Sequence, residues 1–144
     1  MPVMPFESES QREAYERLRA PFQELFPSLR ERIHAIGYAY EVDGTTATST
    51  LAPWGTGDTI VANRCYLAGA VPMSPELLRQ LAEWTEAGRF GFFGADAADN
   101  VYFEHQLAGS TATKDTLGRS IHQVHATAMA RRDEVRARFG GGDL

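Results

Sequence analysis

The sequence predicts a single α+β domain in which helices pack on an antiparallel sheet. Apolar residues recur at spacings of three and four in three separate stretches, the pattern of helices with one buried face. Five shorter stretches alternate between apolar and polar residues, as strands do. Every predicted strand-to-strand link is hairpin-short, so neighbouring strands run antiparallel. We therefore predict one domain over residues 1–144, in the order helix, three strands, helix, two strands, helix.

The first helical region follows a short tail. Residues 1–7 are predicted to be loose, because two prolines there discourage regular structure. A helix is predicted to begin near Ser8. Pro21 and Pro27 interrupt its apolar stripe, so we expect two or three helical pieces bent at the prolines and closed by Gly37. The stripe consists of Tyr15, Leu18, Phe22, Leu25, Leu29, Ile33 and Ile36.

Three strands are predicted next. The first covers 38–42 and ends at the Asp-Gly pair at 43–44, a strong signal for a two-residue hairpin turn. The second covers 45–52 and is rich in β-branched threonine. A glycine-containing turn at 55–58 leads into the third strand over 60–67. The apolar face of that third strand carries Val61, Cys65 and Leu67.

The middle of the chain reads as a capped helix that feeds a hairpin. Ser74 is a good N-cap, and Pro75 suits the first helical position, where an amide is not needed. Gly88 is predicted to end the helix in the left-handed conformation. Strands are expected around 90–92 and over 101–107. The apolar face of the helix carries Leu77, Leu78, Leu81 and Trp84.

The last helix is predicted to begin after Thr113, which can act as its N-cap. Asp115 suits the positive first turn, and the glycines at 140–142 end the helix. Its buried stripe is predicted to contain Leu117, Ile121, Val124, Ala128, Val135 and Phe139.

Composition narrows the classes of partner. A net charge of −5 and a pI near 5.3 argue against a sequence-independent nucleic-acid binder, which needs a basic surface. Cys65 is the one cysteine, so no intrachain disulfide is possible and a reducing compartment is expected. No run approaches the roughly 18 apolar residues of a membrane span, and the N-terminus lacks a signal-peptide pattern. We expect a soluble cytoplasmic protein.

No residue set predicts a metal, a cofactor or a catalytic centre. His122 and His125 are three apart on a helix, but no spacing supplies the further ligands that zinc requires. Asp96 and Asp99 lack the remaining oxygen ligands of a calcium loop and fit a hairpin turn better. Cys65 in a predicted strand fits a core residue better than a nucleophile.

Glu104 and His105 are the nearest approach to an acid–base pair. They follow one another on a predicted strand and therefore point to opposite faces of the sheet. The sequence thus gives no reaction, and we expect a protein that is not an enzyme.

Aromatic residues carry the stronger signal. They concentrate in the first third of the chain, where most are expected to be core. If several are exposed together they form an apolar patch of the kind that marks a partner surface. Trp84 is expected either in the core or in a homodimer seam, since aromatics are enriched at both.

With this order of elements, the chain resembles the YbjN-like family, whose fold is similar to that of type III secretion chaperones. The residues behind the resemblance are SPELLRQLAEWTEAGRFGFFGADAADNVYFEHQLAG and the later TKDTLGRSIHQVHATAMARRDEVRARFGG. The resemblance covers about half of the chain, and reaches the first 70 residues only through element order. It implies a small, acidic, dimeric α+β protein that binds other proteins and has no catalytic residues to transfer.

The leading hypothesis is therefore a homodimeric adaptor or chaperone-like protein that holds a protein client on an apolar surface. Acidic residues such as Glu13, Glu16 and Glu24 favour a basic client. In the resemblance the middle helix helps to form the dimer, which here assigns Leu77, Leu81 and Trp84 to the dimer interface. The expected client-binding residues are Tyr15, Leu18, Phe22, Tyr38, Tyr40 and Trp54.

The alternative is a small-ligand binder or an enzyme with a pocket between the sheet and the helices. A convergent set of polar residues would favour it, and the sequence does not show one. A direct nucleic-acid role ranks third because of the negative charge.

Overall fold

Three helices and six strands make up residues 4–144, the part of the chain that this computed structural model describes. The predicted α+β architecture, with helices packed on an antiparallel sheet, is confirmed, with one additional short strand. The elements are α1 (Glu9–Leu25), β1 (Arg30–Arg32), β2 (Gly37–Val42), β3 (Thr45–Trp54), β4 (Asp58–Ala68), α2 (Pro75–Gly88), β5 (Phe92–Ala95), β6 (Val101–Ala108) and α3 (Lys114–Phe139).

The strands form one sheet in the order β1-β2-β3-β4-β6-β5, and every neighbouring pair is antiparallel. Helix α1 packs against β3 and β4, α3 packs against β4 and β6, and α2 packs against β5. The main hydrophobic core lies between these helices and the sheet. Within residues 4–144 no helix covers the opposite face of the sheet. No helix in that range is long and apolar enough to cross a bilayer either.

Helix α1 is a single helix, which corrects the prediction of helical pieces running on toward Ile36. It accommodates Pro21 in its last turns and ends at Leu25. Pro27 cannot supply the amide that a continued helix needs, and the chain turns instead into β1. Residues Arg30–Arg32 pair with β2, so the spacing of Leu29, Ile33 and Ile36 did not reflect a helix.

Local capping and turn signals were mostly reliable. The Ser74 hydroxyl accepts a hydrogen bond from Leu77 N at 3.1 Å, which confirms the N-cap of α2. Asp43 and Gly44 both have positive φ, as the predicted two-residue hairpin turn requires. The end of α2 differs by one position, because the left-handed residue is Arg89 rather than Gly88.

The N-terminal tail lies partly outside the described residues. The prediction of a loose tail over 1–7 includes positions 1–3, which the structure does not describe. Within the described part, the ring centroid of Phe6 lies 5.4 Å from that of Tyr15. Phe6 is half-buried against the core at this point.

Helix α2 covers the edge of the sheet at β5. The Thr85 hydroxyl accepts a hydrogen bond from the amide of Phe93 at 2.8 Å, so an amide of the edge strand is satisfied by a side chain of α2. Trp84 lies beside Phe93, with ring centroids 5.6 Å apart. Because α2 lies over β5 and α3 over β4 and β6, a groove remains between the two helices above β6.

Candidate functional site

The residues expected to bind a client are almost all in the core. These six residues therefore do not form the exposed apolar patch that a client would need. Of the six, only Trp54 is exposed, at 52%. Aromatic stacking explains the burial, since the ring centroids of Tyr15 and Tyr38 lie 4.8 Å apart and face each other. The buried members of the set are Tyr15, Leu18, Phe22, Tyr38 and Tyr40.

The residues assigned to a dimer seam also face inward. Leu77 and Leu81 are buried within their own chain, where they hold α2 on the core. Trp84 is half-buried, and the guanidinium of Arg131 lies 4.5 Å from its ring centroid. The leucine that α2 exposes is Leu78, at 53%. The apolar side chain exposed on the outer side of α2 is thus Leu78, and not one of the three residues predicted to form the dimer interface.

Two of the three acidic residues expected to favour a basic client are paired within the chain. Glu16 contacts Arg12 at 2.9 Å, and Glu24 contacts the only lysine, Lys114, at 3.0 Å. All four side chains are substantially exposed, so these pairs contribute little to stability.

A row of hydrogen-bonded polar side chains crosses the core beneath α3. The Tyr40 hydroxyl lies 2.7 Å from Ser49 Oγ, and Ser49 Oγ donates to Asn63 Oδ1 at 2.6 Å. Asn63 Nδ2 donates to Ser120 Oγ at 2.9 Å, and Ser120 Oγ lies 2.8 Å from His105 Nδ1. We call these five residues the polar row. All except His105 are buried, and each bond satisfies a group that would otherwise destabilise the core.

Strand register brings the polar row together. Ser49 of β3 is directly opposite Asn63 of β4, and Asn63 is directly opposite His105 of β6. Side chains alternate along a strand, so all three point to the side of the sheet that carries the helices. Ser120 reaches the row from α3, where it lies on the inward stripe next to buried Ile121. Asn63 and Ser120, which are 57 positions apart, therefore meet through topology alone.

The polar row ends at a pocket of about 480 Å³ between β6 and α3. The Phe90 ring stacks on the His105 imidazole with centroids 4.1 Å apart, which covers one face of the histidine. Burial lowers the pKa of His105, so the imidazole is held in its neutral form more strongly than in a free peptide. We call this cavity the His105 pocket; its lining residues are Phe90, His105, Leu107, Thr116, Arg119, Ser120 and Gln123.

A second cavity continues the groove along α3. Its volume is also about 480 Å³, and Gln123 lines both cavities. Trp84 and Phe93 form one wall, and the small side chains of Ala126 and Ala130 form the other. Arg131 lies over Trp84 in this part of the groove. The second cavity is therefore more crowded by a charged side chain than the His105 pocket.

A charged cluster lies on the uncovered face of the sheet. Arg64 Nε donates to Glu104 Oε1 at 2.8 Å, and Gln106 Nε2 donates to Glu104 Oε2 at 2.8 Å. The Arg64 guanidinium carbon lies 3.6 Å from the centroid of the Tyr102 ring. The prediction that Glu104 and His105 point to opposite faces is confirmed by these partners. Because Arg64 and Glu104 neutralise each other, the cluster offers no free charge to a ligand.

The other candidates of the sequence fall into structural roles. Cys65 is fully buried, and burial raises the pKa of its thiol to about 11, which suits a core residue. Asp96 accepts backbone hydrogen bonds from Ala98 and Asn100 and so organises the β5–β6 turn. Within residues 4–144 no three His, Cys, Asp or Glu side chains are grouped as metal ligands.

The polar row was not predicted from the sequence, although one signal was present. Asn63 lies at the inward position between Val61 and Cys65, on the strand face predicted to be apolar. A buried asparagine requires hydrogen-bonding partners, so its position predicts a polar contact inside the core. The identity of those partners depends on strand register and on α3.

Comparisons with known proteins leave the family open. No protein-family model matches the chain, and a search of curated proteins finds no match.

Proposed function

We propose that this protein is a non-catalytic small-ligand binder and that its ligand occupies the His105 pocket. The observation that carries the proposal is the polar row, which runs through the core and ends at a largely apolar cavity. An apolar pocket with a few fixed polar groups is the usual form of a ligand site, and about 480 Å³ lies within the usual range. The convergent polar set that would favour this class over an adaptor is thus present.

Binding is favoured over catalysis by the state of Ser120. A serine beside a histidine can act as a nucleophile when its hydroxyl reaches the substrate and a third group orients the base. Here the Ser120 side chain is buried and its oxygen accepts the amide proton of Asn63. Among the described residues no carboxylate is hydrogen-bonded to His105. Ser120 therefore acts as a support for His105.

A thermal-shift screen of small apolar compounds tests the proposal. A ligand that binds only the native state must raise the melting temperature. Gln123 lies exposed at the pocket, and Gln123→Trp is designed to fill the cavity without burying a charge. We expect Gln123→Trp to abolish the shift, and Asp133→Trp, at an exposed α3 position outside the lining, to retain it. Failure of every compound to stabilise the wild type, or equal shifts in both variants, would contradict the proposal.

A protein-binding role is a second candidate because α2 and the segment just before it expose apolar side chains. Leu78 and Met73 are exposed at 53% and 37%, at the start of the helix that the chaperone resemblance assigns to a dimer. In this candidate a second copy of the chain contacts the outer side of α2. Light scattering tests it with Leu78→Asp, which should convert a dimer to a monomer. Trp54→Asp, at an equally exposed aromatic on the β3–β4 hairpin, is the matched control and should leave the dimer intact. A monomeric wild type would contradict this candidate.

A further inference from the structure

We propose that the His105 pocket selects an apolar ligand carrying a neutral hydrogen-bond acceptor, such as a carbonyl oxygen, which accepts the Nε2–H of His105. This inference rests on the proposed ligand-binding function and specifies the chemical class of the ligand. It follows from the direction of the hydrogen bonds in the polar row, from the shape of the pocket and from the charges around it.

The hydrogen bonds at Ser49 and Asn63 each have one possible direction. Asn63 Oδ1 can only accept, so Ser49 donates its single hydroxyl proton to that oxygen. Tyr40 must then donate to Ser49, and burial, which raises the pKa of Tyr40, keeps that phenol protonated. The amide nitrogen of Asn63 can only donate, and its partner is Ser120 Oγ.

The hydrogen bonds at Ser120 fix the tautomer of His105. Ser120 Oγ already accepts from Asn63, and its own proton is directed to the remaining partner, His105 Nδ1. Nδ1 therefore accepts, and the proton of the neutral imidazole resides on Nε2. Among the described residues none accepts a hydrogen bond from Nε2. The pocket consequently presents one unused donor whose orientation is set by four residues behind it.

The charges around the pocket disfavour an anionic ligand. Arg119 is the nearest cation in the lining, but its side chain is 82% exposed and it contacts Asp115 at 3.1 Å. A carboxylate on the ligand would lose part of its hydration against the apolar wall of this open pocket, without a buried cation to offset the cost. The burial that lowers the pKa of His105 also disfavours an imidazolium that could serve as one. A neutral acceptor is the better match.

The walls of the pocket suit an apolar group on the ligand. The Nε2–H bond lies in the plane of the imidazole, so an acceptor approaches along that plane, beside the ring face that Phe90 covers. Phe90 and Leu107 then contact whatever group carries that acceptor. A cavity of about 480 Å³ has room for a group of two fused rings.

Matched naphthalene probes test the inference. 2-Acetylnaphthalene carries a carbonyl, and 2-isopropenylnaphthalene has nearly the same shape, with a CH₂ group in place of the oxygen acceptor. One hydrogen bond predicts that the ketone binds wild-type protein about two- to tenfold more tightly than the hydrocarbon, measured by ligand-observed NMR titration. In His105→Phe, which keeps the stacking on Phe90 and removes the donor, the ketone should lose this advantage and bind no more tightly than the hydrocarbon, because its oxygen is then desolvated without a partner.

Other outcomes overturn the inference in distinct ways. Equal affinity of the two probes for wild type removes the acceptor requirement while leaving a ligand pocket in place. Tighter binding of 2-naphthylmethylamine, which is a cationic donor at neutral pH, than of the ketone overturns the preference for a neutral acceptor. Tighter binding of 2-naphthoate removes the preference for a neutral group. Failure of the whole compound screen, by contrast, overturns the proposed function itself.

Ser120→Ala supplies a second variant if His105→Phe does not fold. The variant keeps the imidazole and removes the hydroxyl that donates to Nδ1. Ser120 is a positioning residue, so its loss should shift the ¹⁵N signals of His105 toward a mixture of tautomers and reduce the ketone preference. Unchanged His105 signals and an unchanged ketone preference would show that Ser120 does not set the tautomer of His105.

Discussion

The aromatic N-terminal third of the chain and the His105 pocket use similar side chains for opposite purposes. In the first region, rings such as Tyr15 and Tyr38 stack face to face and are buried, so they leave no surface for a partner. In the pocket, a single aromatic, Phe90, stacks on His105, and the Nδ1 atom of this histidine is hydrogen-bonded to Ser120. Aromatic density therefore marks the core of this protein, whereas the candidate site is marked by polar residues at inward-facing positions.

The largest expected effect separates the two regions by stability. Phe22→Ala should lower the free energy of unfolding by about 3–5 kcal/mol, because it removes a fully buried ring from the core. Trp54→Ala, at the exposed member of the same predicted client surface, should change it by less than about 0.5 kcal/mol. Urea denaturation followed by circular dichroism measures both. A small effect of Phe22→Ala would restore the first region as a candidate partner surface.

An intermediate effect is expected inside the polar row. Asn63→Ala leaves the hydroxyls of Ser49 and Ser120 without their shared partner, at a cost of about 1–3 kcal/mol. Gln23→Ala, at an exposed amide on α1, is the control and should be nearly neutral. The same denaturation experiment applies. If the two variants prove equally stable, the hydrogen bonds of the polar row do not hold the site together.

The contrast also explains how far the sequence could predict this structure. Elements fixed by neighbouring residues were predictable, as with the Ser74 cap or the Asp43–Gly44 turn, because a few adjacent residues determine the local backbone. The polar row was not, because His105 meets Asn63 only if β4 and β6 pair in one register. A slip of one residue would place Glu104 there instead.

A smaller effect is expected in the pH dependence of stability. Burial lowers the pKa of His105, and it also lowers the pKa of His125, where Asp43 opposes the shift and His122 and Arg132 reinforce it. The unfolded chain then binds these protons more readily than the native protein does. Their contribution to stability is complete above the unfolded histidine pKa of about 6.5 and is lost as the pH falls toward the lowered values.

Denaturation midpoints between about pH 7.5 and pH 5.5 measure this loss. His105→Gln removes one of the two histidines whose pKa is lowered, so its stability should fall less steeply with acidification than that of wild type. Identical slopes for the two proteins would show that His105 titrates as it does in the unfolded chain.

The most direct test of the polar row is the tautomer of His105 in the unliganded protein. Long-range ¹H–¹⁵N correlation spectra at neutral pH distinguish a protonated from an unprotonated ring nitrogen. We expect Nε2 to carry the proton and Nδ1 to show the shift of a hydrogen-bond acceptor, because Ser120 donates to it. A proton on Nδ1 would mean that the pocket presents an acceptor instead of a donor. It would contradict both the bond directions inferred for the polar row and the ligand class inferred from them.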